Sequence, residues 1–162
     1  MRNRQLFSAA VLALILNTAA QAACQQVTVQ TETGKQVVLV RADIDALPHV
    51  KITTNTSGTS TMFEGVSLKT VLEKAGVGFA ETMKGKRLAA CLLVEAADGY
   101  RVVFALPEVD PAFTDKQIVL AFLREGKPLG EKEDPYRLVI PDEKRMARWV
   151  REVTTLKIVD VQ

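Results

Sequence analysis

Short segments in which apolar and polar residues alternate, separated by turn residues, limit the fold of this chain more than any other feature. Gln26–Gln30 and the stretch around Val37–Val40 alternate in this way. Between them lies Glu32–Lys35, which contains a glycine suited to a tight turn, so the pattern predicts a β-hairpin. Since the same pattern recurs toward the C-terminus, a strand-rich fold is expected.

The remaining segments extend this prediction. Two helical pieces are expected: one turn at Asp43–Leu47, and a helix opened by Ser67 whose apolar face ends at Gly76. Residues Ser57–Ser60 are predicted to form a loop. Further strands are predicted at Val50–Thr54, Arg87–Ala96 (buried on both faces), Tyr100–Phe104 (a hairpin through Asp98-Gly99), Ile118–Leu123, Tyr136–Ile140 and Leu156–Val161 (an edge strand). The predicted class is α+β, with a strand-rich mixed sheet or barrel-like arrangement and short helices.

The N-terminus has the pattern of an export signal. Arg2 and Arg4 precede an apolar run, Leu6–Leu16, which ends in Ala20-Gln21-Ala22, the small-x-small pattern of a cleavage site. We therefore predict a signal peptide at residues 1–22, a single domain at residues 23–162 and a periplasmic or secreted location. The alternative of an uncleaved anchor is disfavoured, because an apolar run of about 11 residues is shorter than the roughly 20 that a membrane span needs.

Charge excludes one class of function. The chain has 21 basic and 19 acidic residues, and the predicted signal contains two of the basic ones and no acid. The predicted mature domain therefore has 19 of each and is neutral. A neutral domain lacks the basic surface that nucleic acids or anionic membranes require. Its 48% hydrophobic and 25% charged residues are typical of a globular protein.

The chain contains two cysteines and one histidine, which restricts the available chemistry. In an oxidising compartment Cys24 and Cys91 could pair as a disulfide, and the alternative is that Cys91 is an inert buried thiol. Lipid attachment at Cys24 is less favoured, because Gln21 stands where a lipoprotein signal normally has an aliphatic residue. A zinc site cannot be assembled from so few ligands. His49 is interpreted as a surface or half-buried residue at the start of a strand.

Several motifs occur in one order along the chain. They are Phe63–Leu68 (FEGVSL), Val71–Val77 (VLEKAGV), Asp98–Tyr100 (DGY), Gly126–Leu129 (GKPL), Asp134–Pro141 (DPYRLVIP) and Arg148–Arg151 (RWVR). In this order they resemble the oxidoreductase molybdopterin-binding domain family, the cofactor domain of sulfite oxidases and plant nitrate reductases. The resemblance covers about Val27–Val161. It implies the sulfite oxidase-type fold, with molybdopterin as the cofactor to be considered.

The resemblance also shows where this chain departs from the family. The family's molybdenum is bound by a cysteine thiolate near the end of the strand that here reads Val50–Thr56, and this segment has no cysteine. Thr54 or Thr56 takes its place, and a neutral hydroxyl is a poor substitute for a soft thiolate. Lys132 and Glu133 replace a His-Gly pair, whereas Pro135 and Arg137 are retained. No molybdenum cofactor is therefore expected, although a molybdopterin remains compatible with the family.

Basic residues near the C-terminus form the candidate ligand site. In the family a Gly-x-Arg-x-x-Lys segment grips the cofactor phosphate; here Met146 replaces the glycine, Arg148 is retained and Arg151 keeps the terminal cation. With Lys144 and Arg145 these residues form a cation-rich stretch, whose alternative interpretation is a solvated face paired with Glu143 and Glu152. Arg137, within an apolar strand, either faces a ligand or pairs with a buried carboxylate. Tyr100 is a family position or a packing residue, and Trp149 is a core or rim aromatic.

Three functions are compatible with these observations. The first is an exported protein of this fold without molybdenum catalysis, which binds a small anion or a pterin-like molecule through Arg137, Arg148, Arg151, Thr54 and Tyr100. The second is a periplasmic molybdopterin-dependent oxidoreductase that passes electrons to a partner. The third is a structural subunit that docks on another envelope protein. Family membership alone does not choose among them, because function resides in the site.

Overall fold

The computed structural model describes residues 25–56, 58–141 and 143–161, which form two β-sheets with short helices between them. The strands are β1 Gln26–Gln30, β2 Gln36–Val40, β3 His49–Thr56, β4 Thr59–Ser67, β5 Cys91–Ala96, β6 Arg101–Ala105, β7 Val119–Arg124, β8 Lys127–Pro128, β9 Arg137–Val139 and β10 Val153–Val159. The helices are α1 Arg41–Asp45, α2 Leu68–Lys74 and short 3-10 helices at Ala80–Thr82, Gly85–Ala89, Leu106–Val109 and Met146–Arg148. The predicted signal peptide and Cys24 lie outside the described residues.

The first sheet has the order β2-β1-β10-β5-β6. Both predicted hairpins are present, β1 with β2 and β5 with β6. Gly34 and Gly99 adopt the positive φ that their turns require, +80° and +85°. The pairing of β1 with β10 is parallel and the others are antiparallel, so the sheet is mixed. This confirms the predicted α+β class with mixed sheets, and the described strands form two open sheets rather than a barrel.

Two strands differ from their predicted environments. The C-terminal strand, β10, is not at an edge but at the centre of the first sheet, between β1 and β5. Its solvent-side residues are half-buried, and its polar character reflects the open face of the sheet rather than a free edge. In β5 every second residue is buried, so this strand is covered on one face only, because the outer face of the sheet has no covering layer among the described residues.

The second sheet has the order β3-β4-β7-β8, and β9 also pairs with β7. Strand β4 was missed by the sequence patterns, which predicted a loop at residues that instead enter β4 at Thr59. β3 and β4 form a long hairpin whose turn contains Gly58 at a φ of +81°. A register shift at Gly65 brings β4 against β7, where a Cβ atom would lie 2.6 Å from Ala121 Cα. Only glycine fits this approach.

The helices lie close to their predicted positions. Helix α2 follows Ser67 and buries Leu68, Val71 and Leu72, as its periodicity predicts, and Gly76 follows it at a φ of +94°. Helix α1 begins two residues earlier than predicted. The reason is local: the Asp43 carboxylate accepts a hydrogen bond from the Val40 backbone N–H (3.0 Å), which satisfies a donor at the start of the helix.

One continuous apolar core lies between the two sheets. It includes the fully buried side chains of Phe104, Leu120, Leu138 and Leu156, which come from both sheets. Polar residues are rare in it: Thr54 and Arg137 are among four polar or charged residues that are buried. None of the helices formed by residues 25–56, 58–141 and 143–161 is long and apolar enough to cross a membrane.

Candidate functional site

Four threonines form one face of the β3–β4 hairpin near its turn. Thr54 lies opposite Thr61 and Thr56 opposite Thr59 in the strand register. Because alternate residues of a strand point to the same side, these hydroxyl groups share one surface. Thr54 is only 3% exposed, and its hydroxyl donates a weak hydrogen bond to the Thr61 carbonyl (3.4 Å). The hairpin therefore presents a short wall of hydroxyl groups.

Two guanidinium groups lie beside this wall and share one carboxylate. Arg124 ends β7, and Arg137 begins β9, the strand paired with β7. Arg124 Nη2 donates to Glu133 Oε1 (2.6 Å), and Arg137 Nη1 donates to the same oxygen. Arg137 is 9% exposed. It thus takes one of the two roles that the sequence suggested, since it pairs with a largely covered carboxylate, and it also lines a cleft.

Aromatic rings hold these guanidinium groups in place. Arg137 lies over the rings of Trp149 (5.5 Å to the centroid) and Phe63 (5.8 Å), and Arg124 lies over Phe63 (5.2 Å). The two rings meet edge to face at 6.2 Å. Such contacts favour a cation where water is excluded. Trp149 is 6% exposed, which agrees with its predicted role as a core or rim aromatic.

These groups enclose a cleft of about 290 Å³. It is lined by Thr54, Thr56, Thr59, Thr61, Phe63, Arg124, Arg137, Met146 and Trp149. Three of its nitrogen donors are buried and make no hydrogen bond with any described residue: Arg124 Nε, Arg137 Nε and Trp149 Nε1. Leaving such donors without acceptors is unfavourable. These groups can only donate, so any partner they gain must be an acceptor, and as buried atoms they must first become accessible to a ligand in the cleft.

The charges around Arg137 are unbalanced. Burial lowers the pKa of its guanidinium, Glu133 opposes that shift, and the neighbouring charges of Arg124 and Arg151 lower the pKa again. An arginine remains protonated even so. Two guanidinium groups therefore face the cleft with a single carboxylate between them, which leaves one uncompensated positive charge.

Arg148 lies in a different cluster from Arg137. It donates to Glu143 and Glu108, and Lys116 also pairs with Glu108 (3.1 Å) and Glu143 (3.4 Å). Its guanidinium covers the ring of Phe104 at 4.7 Å. The pairing with Glu143 matches the alternative interpretation of this stretch, a face held by ion pairs. Arg148 is not among the residues that line the Arg137 cleft.

Arg151 and Tyr100 line a second, smaller cleft of about 210 Å³. The Tyr100 hydroxyl donates to the Ala147 carbonyl (2.7 Å), and Asp98 accepts a bond from the Tyr100 backbone N–H (2.9 Å), as expected of a turn residue. Met146 and Trp149 line both clefts, so the two are adjacent. Of the five predicted ligand residues, Thr54 and Arg137 thus share one cleft, Arg151 and Tyr100 share its neighbour, and Arg148 lies in neither.

Cys91 and His49 both lie at the start of a strand, away from the Arg137 cleft. Cys91 is half-buried at the start of β5, in the other sheet, so it is less buried than an inert core thiol. Its pairing with Cys24, which lies outside the described residues, stays a prediction. His49 begins β3, as predicted, where Nδ1 lies 3.2 Å from Glu64 Oε1 and the ring meets Phe122 edge to face.

A larger cavity of about 530 Å³ lies along β3 and the loop before β7, and is lined partly by Lys51, Asp115 and Lys116. Lys116 is already paired with two carboxylates. No residue lining this cavity has a buried polar side-chain atom left without a partner among the described residues. Of these two spaces the smaller Arg137 cleft is the better candidate, because donors of its lining residues have no partner among the described residues.

Sequence reasoning missed Arg124, Phe63, Thr59 and Thr61 as residues of this cleft. In the sequence, Glu133 stands out only as a replacement in the family's His-Gly pair. One local signal was available for the threonines: Ser57-Gly58 is a typical turn dipeptide, and the threonines on either side alternate symmetrically around it. No local signal brings Arg124 and Glu133 together, because their contact depends on the turn from β7 to β9.

A family model for the oxidoreductase molybdopterin binding domain matches residues 18–162. The chain belongs to this family. The match confirms the resemblance inferred from the ordered motifs. No curated protein matches the chain.

Among solved structures, the sulfane dehydrogenase SoxCD from Paracoccus pantotrophus is similar, with a TM-score of 0.65 and 23% sequence identity. The alignment covers 85% of this chain and 38% of that one, so this chain spans well under half of its length. At this identity the similarity supports the sulfite oxidase-type fold alone.

The cleft suits a pterin better than a molybdenum atom. Its described lining offers hydroxyl groups, N–H donors and the thioether of Met146, but no thiolate. Cys91 lies in the other sheet, and the family's ligand position reads threonine. The residues that line the cleft therefore do not reproduce the family's metal ligand, and their polar groups are of kinds that can bond the organic part of the cofactor.

Proposed function

We propose that this protein is an exported ligand-binding module of the molybdopterin-binding family, which holds a pterin-like molecule or a small anion in the Arg137 cleft without molybdenum catalysis. One observation carries the proposal: three residues that line a single cleft, Arg124, Arg137 and Trp149, each have a buried N–H donor without a partner among the described residues. A ligand that accepts these hydrogen bonds would stabilise the native state by an amount that rises with the logarithm of its concentration divided by its Kd.

The threonine in place of the family's cysteine supports the absence of molybdenum catalysis. Thr54 is buried and its hydroxyl already donates to the Thr61 carbonyl (3.4 Å), so it offers only a neutral oxygen. The main alternative is a working oxidoreductase that holds the metal through the pterin alone. Membership in the family favours that alternative, and an electron-transfer partner would then be required.

The decisive measurement is the amount of molybdenum and of pterin bound to the protein after purification from a host that makes the molybdenum cofactor. Molybdenum is measured by mass spectrometry, and pterin by the fluorescence of the oxidised compound after denaturation. We expect pterin near one equivalent with molybdenum far below it. About one equivalent of molybdenum would instead establish the oxidoreductase, and the absence of both would favour a structural subunit.

Two arginine variants provide a matched comparison within this experiment. Arg137→Ala removes a cleft donor, whereas Arg148→Ala removes an arginine that is paired elsewhere. We expect Arg137→Ala to lose the bound pterin and Arg148→Ala to retain it. If the two variants lose pterin equally, the ligand is not held in the Arg137 cleft.

Export is part of the same proposal and is tested separately. The apolar N-terminal run and the Ala-Gln-Ala sequence support cleavage after Ala22. N-terminal sequencing of protein from a periplasmic extract should begin at Ala23. Protein that keeps Met1 and remains in the cytoplasm would contradict it.

A further inference from the structure

The Arg137 cleft and its neighbour, the Arg151 cleft lined by Tyr100 and Arg151, meet at a single turn of the chain. Met146 and Trp149 line both clefts, and no other described residue does so. Trp149 is only 6% exposed, whereas Met146 is 46% exposed. The side chain that a ligand meets at the boundary between the two clefts is therefore that of Met146.

Hydrogen bonds and ion pairs hold the backbone around Met146 in place. Its carbonyl accepts a hydrogen bond from the Trp149 backbone N–H (3.0 Å), and the carbonyl of the next residue, Ala147, accepts one from the Tyr100 hydroxyl (2.7 Å). Arg148, two residues after Met146, is anchored by its ion pairs. The methionine side chain can change rotamer, because it is unbranched and flexible, but the fixed backbone keeps it at the boundary.

Positive charge lies on both sides of this boundary. Arg124 and Arg137 line one cleft, and Arg151 lines the other, where it forms no ion pair with a described residue. The clefts measure about 290 and 210 Å³. Each is below the roughly 300 Å³ at which pockets for drug-sized ligands begin, whereas the two joined would exceed it. A ligand with a ring at one end and an anionic group at the other meets cations at both ends only if it crosses the boundary.

We propose that Met146 determines the length of the ligand: its side chain separates the Arg137 cleft from Arg151, so that the protein holds a compact ring and a longer anionic ligand cannot use both clefts at once. This inference rests on the proposed function and narrows its ligand to a compact molecule. Removal of the Met146 side chain should join the clefts and allow an anionic tail to reach Arg151.

The test compares two probes that share one ring, by titration calorimetry at pH 7.5 and fixed ionic strength. Pterin-6-carboxylate is compact, and 6-hydroxymethylpterin diphosphate has an anionic tail. In wild type, Arg151→Ala should change the affinity for the diphosphate by at most about threefold, because only a screened charge is removed. In Met146→Ala the diphosphate should bind at least about tenfold more tightly than in wild type, and adding Arg151→Ala should abolish that gain. The affinity for the compact probe should change less than about threefold.

Two further variants control for volume and charge. Met146→Leu keeps the size of the side chain and should behave as wild type with both probes. Arg145 is exposed and lines neither cleft, so Arg145→Ala in the Met146→Ala background should leave the gain intact. Because Met146 is exposed, its replacement should leave the melting temperature nearly unchanged.

Three results would overturn the role of Met146 while the proposed function stands, as long as wild type binds the compact probe. The first is no gain for the diphosphate in Met146→Ala, and the second is a gain that persists without Arg151. The third is a loss of tenfold or more for Arg151→Ala in the wild-type background, since the clefts would then be joined already. Failure of wild type to bind either probe overturns both this inference and the proposed function.

Discussion

Two clusters of this protein contain arginines and glutamates, but they differ in how fully the positive charges are paired with negative ones. Around Arg148, two cations face two carboxylates, and each of these four side chains pairs with at least one opposite charge. Around Arg137, two guanidinium groups share one oxygen of Glu133, and three buried donors nearby have no described partner. The charges of the first cluster are paired within the chain, whereas the second keeps buried donors that no described residue satisfies.

This difference shows why the density of basic residues in a sequence is a poor guide to a binding site. The stretch Lys144–Arg151 is the most concentrated basic feature of the chain, yet Arg148 within it is an internal cross-link between the loop before β10 and the helix at Leu106–Val109. Arg137, which stands alone in an apolar strand, is instead the arginine whose buried Nε–H has no described acceptor. A count of donors against acceptors in the folded chain distinguishes the two.

The largest difference between the clusters is expected for removal of their arginines. Arg137→Met leaves Glu133 buried with only Arg124 and removes the contacts with two aromatic rings, so we expect a loss of about 3 kcal/mol in unfolding free energy. Arg148→Met should cost about 1 kcal/mol, because Arg148 is more exposed and Lys116 still pairs with both carboxylates. Urea unfolding followed by circular dichroism measures both. Equal losses would show that burial does not distinguish the clusters.

The second contrast concerns acid. The hydrogen bond from Arg148 lowers the pKa of Glu143 below its ordinary 4.5, although burial opposes the shift. A carboxyl group with a lowered folded pKa stabilises the protein above its unfolded pKa, and this stabilisation is lost as the pH falls through the folded value. Glu143→Gln should therefore reduce stability by about 1–2 kcal/mol at neutral pH and much less near pH 3.

Melting temperatures across this pH range test that expectation, with the exposed Glu131→Gln as the control. The curves of wild type and Glu143→Gln should converge as the pH is lowered. A constant gap between them would mean that Glu143 contributes through packing rather than through its charge.

The fold was largely predictable because its signals are local. The alternation in β1 and β2, the Asp98-Gly99 turn and the apolar face of α2 all gave elements that the structure contains. β4 was missed because its first half is composed of small polar residues, whose strand conformation comes from pairing with β3. The central position of β10 was missed for a related reason, since its parallel partner β1 lies at the other end of the chain.

The candidate site was less predictable, since it depends on contacts between distant segments. Arg137 and Thr54 were found because each departs from its surroundings or from the family's pattern. Arg124, however, appears in the sequence as an ordinary turn residue after the predicted strand Ile118–Leu123, and only folding places its Nη2 2.6 Å from Glu133 Oε1. Whether a donor finds a partner depends on the whole folded chain, so no local sequence pattern predicts it.

A smaller effect is expected from a donor that lacks a partner. Trp149→Phe keeps an aromatic ring and removes Nε1–H, which has no described acceptor. Stability without ligand should change only through packing, while affinity for pterin-6-carboxylate should fall about fivefold to tenfold, the equivalent of one hydrogen bond. Tyr100→Phe is the matched control: its hydroxyl is already bonded to Ala147, so it should lose stability and keep its affinity. The opposite pattern would contradict the assignment of the cleft.

The smallest effect is expected from substitutions in the threonine wall, the four threonines Thr54, Thr56, Thr59 and Thr61 of the β3–β4 hairpin. Thr54→Val preserves shape and removes a buried hydroxyl whose bond to the Thr61 carbonyl is long, at 3.4 Å, so stability should change by at most about 1 kcal/mol. Thr56→Val alters a half-buried hydroxyl nearer the turn and serves as the comparison. If the wall acts only as a boundary of the cleft, neither substitution should change the affinity for pterin-6-carboxylate more than about twofold. A loss above tenfold in Thr54→Val alone would instead make Thr54 a direct ligand contact and favour it over Thr56 as the residue that replaces the family's cysteine.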